Sequence, residues 1–329
     1  MKKQLVLTLL ALVSFATVSA CSSSDTAPQP TEVVLLAYDA FTPQQGIFDE
    51  FTKETGVTVK IVTAGDTGTM VSKAILTSGN PEGDVMWGID NTFLSRAQNA
   101  GVLNEYTPVD EGDICINYDK SWFASKNIPL PQTFEDLAQP AYKNLLVVQD
   151  PTTSSPGLGF LLATIAHFGD SAWQDYWAQL TSNGIKIVPD WTTAYTAEFS
   201  GSSGKGQYPL VVSYGSSPPA EVVYAATPID VPPTGVMEET CFRQTEYVGV
   251  LRGTPHTDIA QKLVDYLLST QFQESMPLTL FVFPVNPEAQ LPQVFTDFAV
   301  RPTSPLTISA DDIEKNRDEW LDAWRSIAL

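Results

Sequence analysis

Apolar positions recur along this chain in two rhythms, one strand-like and one helical. Val33 to Tyr38 is an apolar, β-rich run, Phe48 and Phe51 sit in a short amphipathic helical stretch, and Val57 to Val62 alternates as a strand. Met70, Val71, Ala74 and Ile75 then mark one face of a helix, and Asp84 to Trp87 reads as another short strand. Strand, helix, strand, helix, strand is the order of a doubly wound lobe. The order restarts downstream. Leu145 to Gln149 predicts a strand, Gly157 to Phe168 a helix, and Ile185 to Val188 and Leu210 to Tyr214 two further strands.

Two β-rich runs between these blocks, Asp113 to Tyr118 and Thr245 to Leu251, are long enough to pass from one lobe to the other. After the second, Ile259, Leu263, Tyr266 and Leu267 share a helical face, and Pro277 should end that helix. A last helix is expected from Ser309, a plausible N-cap with Asp312 three residues on, and Ile313, Trp320, Leu321, Trp324 and Ile327 form its apolar face. The expected fold class is therefore α/β, two doubly wound lobes joined by crossover strands. Residues 32–112 would begin lobe I, 113–244 would form lobe II, and 245–329 would return to lobe I and close with helices.

The first residues follow a different logic. Lys2 and Lys3 precede an apolar stretch from Leu5 to Ala16 and the run Val18-Ser19-Ala20-Cys21, the order of a secretory signal, so residues 1–20 are expected to be removed. A cysteine directly after Ser-Ala looks like a bacterial lipoprotein site. Cys21 is accordingly expected to be lipidated and to hold the protein on the outer face of the cytoplasmic membrane. Residues 21–31, rich in Ser and Pro, would form a tether. Roughly 300 residues remain, enough for two moderate lobes with full cores.

The formal charge of −20, from 18 Lys+Arg against 38 Asp+Glu, excludes a nucleic-acid partner, which needs a basic surface. It suits a cationic ligand and also simple solubility. Two histidines and no Cys/His cluster leave no basis for a transition-metal site, and no cofactor motif is present. Besides Cys21 there are two cysteines, Cys115 and Cys241, and such a pair in an oxidising compartment predicts a disulfide.

No nucleophile elbow, zinc-protease or phosphate-loop motif occurs, which argues against an enzyme. Aromatic and small polar residues instead gather at the carboxyl ends of the predicted strands, where open α/β sheets bind ligands. Tyr38 and Asp39 follow the first strand, Asp66, Thr67 and Gly68 the second, and Asp90 the third. In the second lobe the run Asp150 to Gly157, with Ser154 and Ser155, leads into a helix whose free amides could hold an anion.

The blocks YDAF (38–41), DVMWGIDN (84–91), DPTTSSPGLGFL (150–161), DWTTAY (190–195), LVVSYGSSP (210–218) and FVFPV (281–285) resemble the thiamine-binding periplasmic proteins of ABC importers. They occur in that family's order along nearly the whole mature chain. The resemblance implies a type II periplasmic-binding fold with the ligand between lobes that close as a hinged clamp. It also implies thiamine or its phosphate esters as ligand and importer permease and ATPase subunits as partners, with the receptor a monomer that carries out no chemistry.

Carried onto this chain, the resemblance makes Tyr38 and Asp39 a first-lobe wall and puts the Asp66 to Gly68 turn beside the phosphate end of a thiamine ester. Ser154 and Ser155 would be hydroxyl donors, Trp191 a stacking ring with Tyr195 in the same block, and Tyr214 an aromatic floor. Phe281 stands where relatives have tryptophan and Ala220 where some have a second tyrosine, and Gln45 lies near a missing tryptophan. Thiamine is a cation with flat rings, which aromatic faces attract by roughly 0.5 to 2 kcal/mol per contact. Tyr38, Trp191, Tyr214 and Phe281, with Asp39, Asp90 and Glu246, would supply rings and charge. A polyamine receptor would use similar walls. A thiaminase-like enzyme would need Cys115 as a free nucleophile with Glu246 as base.

Overall fold

The strands of the protein grow from the short apolar runs, and the two longest of them tie the molecule together. The computed structural model describes residues 30–202 and 206–329, so the expected signal and the lipidation site at Cys21 lie outside the described residues. Among the described residues nine strands form one sheet: β1 (Glu32–Ala37), β2 (Thr58–Thr63), β3 (Val85–Asp90), β4 (Thr107–Asp119), β5 (Leu146–Gln149), β6 (Lys186–Val188), β7 (Leu210–Tyr214), β8 (Thr234–Val250) and β9 (Phe283–Pro284). The order is β2-β1-β3-β8-β4-β7-β5-β6, with β9 on β4.

Each end of this sheet repeats the same plan. β1 lies parallel between β2 and β3, and β3 is followed by antiparallel β8. At the other end β5 lies parallel between β6 and β7, and β7 is followed by antiparallel β4. Every residue of β3 and β5 is buried, as expected of central parallel strands covered on both faces. This is the two-lobed α/β fold with crossover strands.

The crossovers are longer than their apolar cores announce. β8 has 17 residues, about 55 Å at the usual strand rise, and pairs antiparallel with 13-residue β4 from Thr234 to Val248. The register slips between Ile114 and Ile116, and there the sulfurs of Cys115 and Cys241 lie at bonding distance.

One expected boundary is corrected. The helix begun by Ile259 spans Thr257–Leu267 and stops there, because Ser269 caps a new helix, Thr270–Thr279, through a hydrogen bond from the Phe272 amide. Pro277 lies inside this second helix, near its end, where the lost donor removes a single backbone bond. The C-terminal helix Ala310–Ala328 is capped by Ser309 as expected. It places Trp324 edge-on to Trp177 at 5.8 Å, and Trp177 belongs to the helix Trp173–Ser182 beside the β5–β7 half of the sheet.

Candidate functional site

The two sets of parallel strands run toward each other along the β4–β8 ribbon and stop only a few residues apart. The last residue of β3, Asp90, pairs with Glu246, which pairs with Asp110 on β4, whereas the last residue of β7, Tyr214, pairs with Ile114. A cavity of about 560 Å³ lies at this meeting of carboxyl ends. That is the size range of a small-molecule site.

Its walls are aromatic with a few acids. Trp191 follows β6 and stacks on Tyr195, with centroids 5.0 Å apart and planes within 12°, and Tyr214 lies 6.4 Å from Trp191. The Trp191 indole donates to Ser213 Oγ at 2.9 Å, which fixes the ring's orientation. From the other side Tyr38 enters after β1, and its hydroxyl donates to Glu246 Oε2 at 3.2 Å. This ring packs close against β3 because residue 88 is a glycine at φ +89°, where a Cβ would stand 2.3 Å from the Tyr38 ring. Phe281 closes the cavity with a backbone φ of +55° just past the helix Thr270–Thr279, its ring edge-on to Tyr224 at 5.6 Å.

The three wall carboxyls are Asp66, Glu221 and Glu246, and no Lys, Arg or His lines the cavity among the described residues. Asp66 caps the helix Thr67–Leu76 and also accepts from the Trp191 amide at 3.1 Å, so it ties the two halves together across the cavity. Burial pushes its carboxyl up to about 6, against the pull of Ser154 and of the Thr67 and Trp191 amides. Burial likewise raises Glu221, which accepts from the Tyr195 hydroxyl at 2.9 Å. The phenols of Tyr38, Tyr195 and Tyr214 are held well above their ordinary range by burial first and by neighbouring carboxylates second, so all three remain neutral donors.

The residues singled out in the sequence divide into two groups. Tyr38, Asp66, Thr67, Trp191, Tyr195, Tyr214, Glu246 and Phe281 line the one cavity. Asp39, Gly68, Asp90, Ser154 and Ser155 do not. Asp39 lies in the turn just after β1, exposed, and accepts from the Gly65 amide at 2.9 Å. Gly68 is a close approach, since a Cβ there would lie 2.8 Å from the Thr153 carbonyl. Asp90 is buried behind Glu246 and accepts from the Thr92 amide, the Thr92 hydroxyl and Gln244. The Ser154 and Ser155 hydroxyls are buried without a hydrogen bond of ordinary geometry, although each lies close enough to a carboxyl, Asp66 and Asp90 respectively, to favour its ionised form.

Sequence reasoning missed Glu221 and Tyr224, which come from the short helix Pro218–Val223 and its C-cap. Ala220 does line the cavity, and Tyr224, one helical turn further on, puts a tyrosine ring where Ala220 has none. Cys115 is buried, bonded to Cys241 and absent from the wall, so the geometry offers no thiol nucleophile to the cavity. Among the described residues no group of three or more His, Cys, Asp or Glu is arranged to hold a metal ion, and no helix is long and apolar enough to cross a membrane.

Residues 40–274 match the sequence profile described as bacterial extracellular solute-binding protein. Proteins named thiamine-binding periplasmic protein from Brucella abortus biovar 1 (strain 9-941) and Escherichia coli (strain K12) are 26% and 25% identical over 335 and 330 residues. These alignments cover 96% and 91% of this chain and 98% and 95% of those proteins. A solved structure of a periplasmic thiamin binding protein superposes with a TM-score of 0.81 at 22% identity, covering 91% of this chain and 96% of that one.

Proposed function

Because the chain belongs to the bacterial extracellular solute-binding protein family, we propose that it is the receptor of an importer and that its cavity captures thiamine or a thiamine phosphate. The observation that carries this reading is the wall itself: stacked Trp191 and Tyr195, with Tyr38, Tyr214 and Phe281, surround a space bordered by Asp66, Glu221 and Glu246. Flat rings fit between aromatic faces, and a fixed positive charge suits a wall without a competing cation. The full-length relatives named for thiamine binding support the same choice.

The receptor acts outside the cytoplasm and carries out no chemistry, delivering its ligand to the permease and ATPase subunits of an ABC importer. It works as a monomer, with residues 32–112 beginning lobe I, 113–244 forming lobe II, and 245–329 returning to lobe I and closing with helices, the last of which packs on the β5–β7 half. The lipidated residue is Cys21, which holds the protein on the outer face of the cytoplasmic membrane. Replacing Cys21 by Ser should release it to the soluble fraction, and failure of labelled fatty acid to enter the wild-type chain would refute the anchor.

Calorimetric titration with thiamine, its two phosphate esters and spermidine tests the ligand. One-to-one binding of a thiamine compound, weakened about tenfold to a hundredfold in Trp191→Ala for a loss of about 1 to 3 kcal/mol, is the expected result. Tight spermidine binding with none of the thiamine compounds would replace this reading by a polyamine receptor.

A further inference from the structure

Three carboxyls stand in one row across three adjacent strands. Asp90 on β3 pairs with Glu246 on β8, and Glu246 pairs with Asp110 on β4. Directly paired residues of neighbouring strands have Cβ atoms about 4.5–5.5 Å apart, and like charges there repel. Asp90 and Asp110 are fully buried and Glu246 is nearly so, which makes three ionised groups in this row prohibitively costly.

The three carboxyls differ in the donors that they receive. Asp90 accepts from the Thr92 amide at 2.7 Å, from the Thr92 hydroxyl and from Gln244 at 3.1 Å, the surroundings of an ionised carboxylate. Glu246 accepts from Tyr38 at 3.2 Å and Gln244 at 3.2 Å. Neither oxygen of Asp110 receives a donor, although both are buried. A buried carboxyl without donors beside a carboxylate that accepts them is best satisfied by carrying the proton itself and donating it to that neighbour.

We propose that Asp110 is a positioning residue that donates its proton to Glu246 in the empty receptor, and that capture of a cation against Glu246 releases that proton. The proposal rests on reading the cavity as a cation site. Glu246 lines the cavity and Asp110 stands behind it, so a ligand's positive charge meets Glu246 first. The proton then leaves Asp110 for solvent, and two carboxylates face one cation.

The other groups around the pair fit this assignment. Tyr38 after β1 and Tyr214 on β7 stay neutral. Asp90 on β3 adds negative charge. Glu111, next to Asp110 on β4, is engaged by Arg301 and Arg243, and Arg243 also grips Asp113, so these cations are committed elsewhere. Burial pushes Asp110 up to about 8 and, with the neighbouring Asp110 and Asp90 carboxyls, raises Glu246 as well, so the pair holds a proton at pH 7. An opposing charge nearby lowers a carboxyl by about 1 to 3 units, so at pH 7 roughly half to nearly one proton should leave per cation bound.

Two measurements on the purified full chain test this. Calorimetric titration with thiamine at pH 7 in phosphate and in Tris, whose ionisation enthalpies differ, counts protons released. About half to one is expected for the wild type and close to none for Asp110→Asn, whose amide can still donate to Glu246, or for Glu246→Gln. Infrared difference spectra of the ligand-free wild type against Asp110→Asn should show a protonated-carboxyl carbonyl band at pH 7 that disappears above about pH 9. Thiamine binding without proton release, or with equal release in Asp110→Asn, overturns the proposal and leaves the ligand reading intact. If neither thiamine nor spermidine binds, the ligand reading fails, and the presence or absence of the infrared band decides the state of Asp110.

Discussion

Phe281 is the residue where stability and binding should separate. It holds φ at +55°, the left-handed region that costs an ordinary L-residue about 1 kcal/mol or more and that asparagine tolerates far better. Its amide donates to the Met276 carbonyl at 3.0 Å, which ends the helix Thr270–Thr279, so another residue must keep this conformation rather than leave it. In Phe281→Asn the backbone therefore gains about 1 kcal/mol. Against this stands the loss of a half-buried ring, about 1 kcal/mol, and of its edge contact with Tyr224, about 0.5 kcal/mol. The net change in stability should stay within about 1 kcal/mol of wild type. Binding has no such offset, because the ring forms cavity wall. Losing one cation contact of about 0.5 to 2 kcal/mol should weaken thiamine binding roughly 2- to 30-fold. Urea unfolding and calorimetric titration of the same preparations read the two quantities. A fall in unfolding free energy of more than about 3 kcal/mol with an unchanged Kd would instead show that Phe281 is core packing and not cavity wall.

Three further outcomes are expected. Gly88→Ala places a methyl 2.3 Å from the Tyr38 ring in a left-handed backbone, so the ring must move and its bond to Glu246 must break; titration should show a large loss of affinity, and wild-type affinity would contradict the packing. Thiol titration of denatured, unreduced protein should find Cys115 and Cys241 unreactive, and their joint replacement by alanine should cost up to about 4 to 5 kcal/mol for a crosslink spanning 126 residues. Asp66 and Asp110, raised to about 6 and about 8 chiefly by burial, bind protons more tightly folded than unfolded. Their stabilising contribution is present below the unfolded value of about 4 and is lost as pH rises toward the folded values, so Tm should fall between about pH 5 and 8; a rise across that window would refute the assignment.

Much of the fold was legible because parallel strands here end in turns with strong local signals. Tyr38, Asp66, Trp191 and Tyr214 each follow or close a short apolar run, and such positions converge whenever the strands form doubly wound sheets. Other features depend on information that local pattern does not carry. The start of β8, with Glu238 and Glu239 exposed, breaks the apolar run, so its length emerges only from pairing with β4. Glu221 and Tyr224 come from a six-residue helix and its C-cap, entered through Pro218 and Pro219 and too short for a periodicity to be read. β1 ends at Ala37, so Asp39, one residue past Tyr38, falls in an exposed turn while Tyr38 lines the cavity, a division set by the turn rather than by any apolar pattern. The row Asp90, Glu246 and Asp110 exists only through the register of three strands distant in sequence, and no spacing along the chain encodes it.

On this reading the cavity holds a thiamine compound between aromatic faces and beside carboxylates. A crystal structure of the protein grown with thiamine tests it most directly. The ligand should lie between the two halves, a flat ring against Trp191 or Tyr214, and the thiazolium within reach of Glu246, Asp66 or Glu221. Thiamine bound elsewhere, or a cavity left without it at saturating concentration, would contradict the claim.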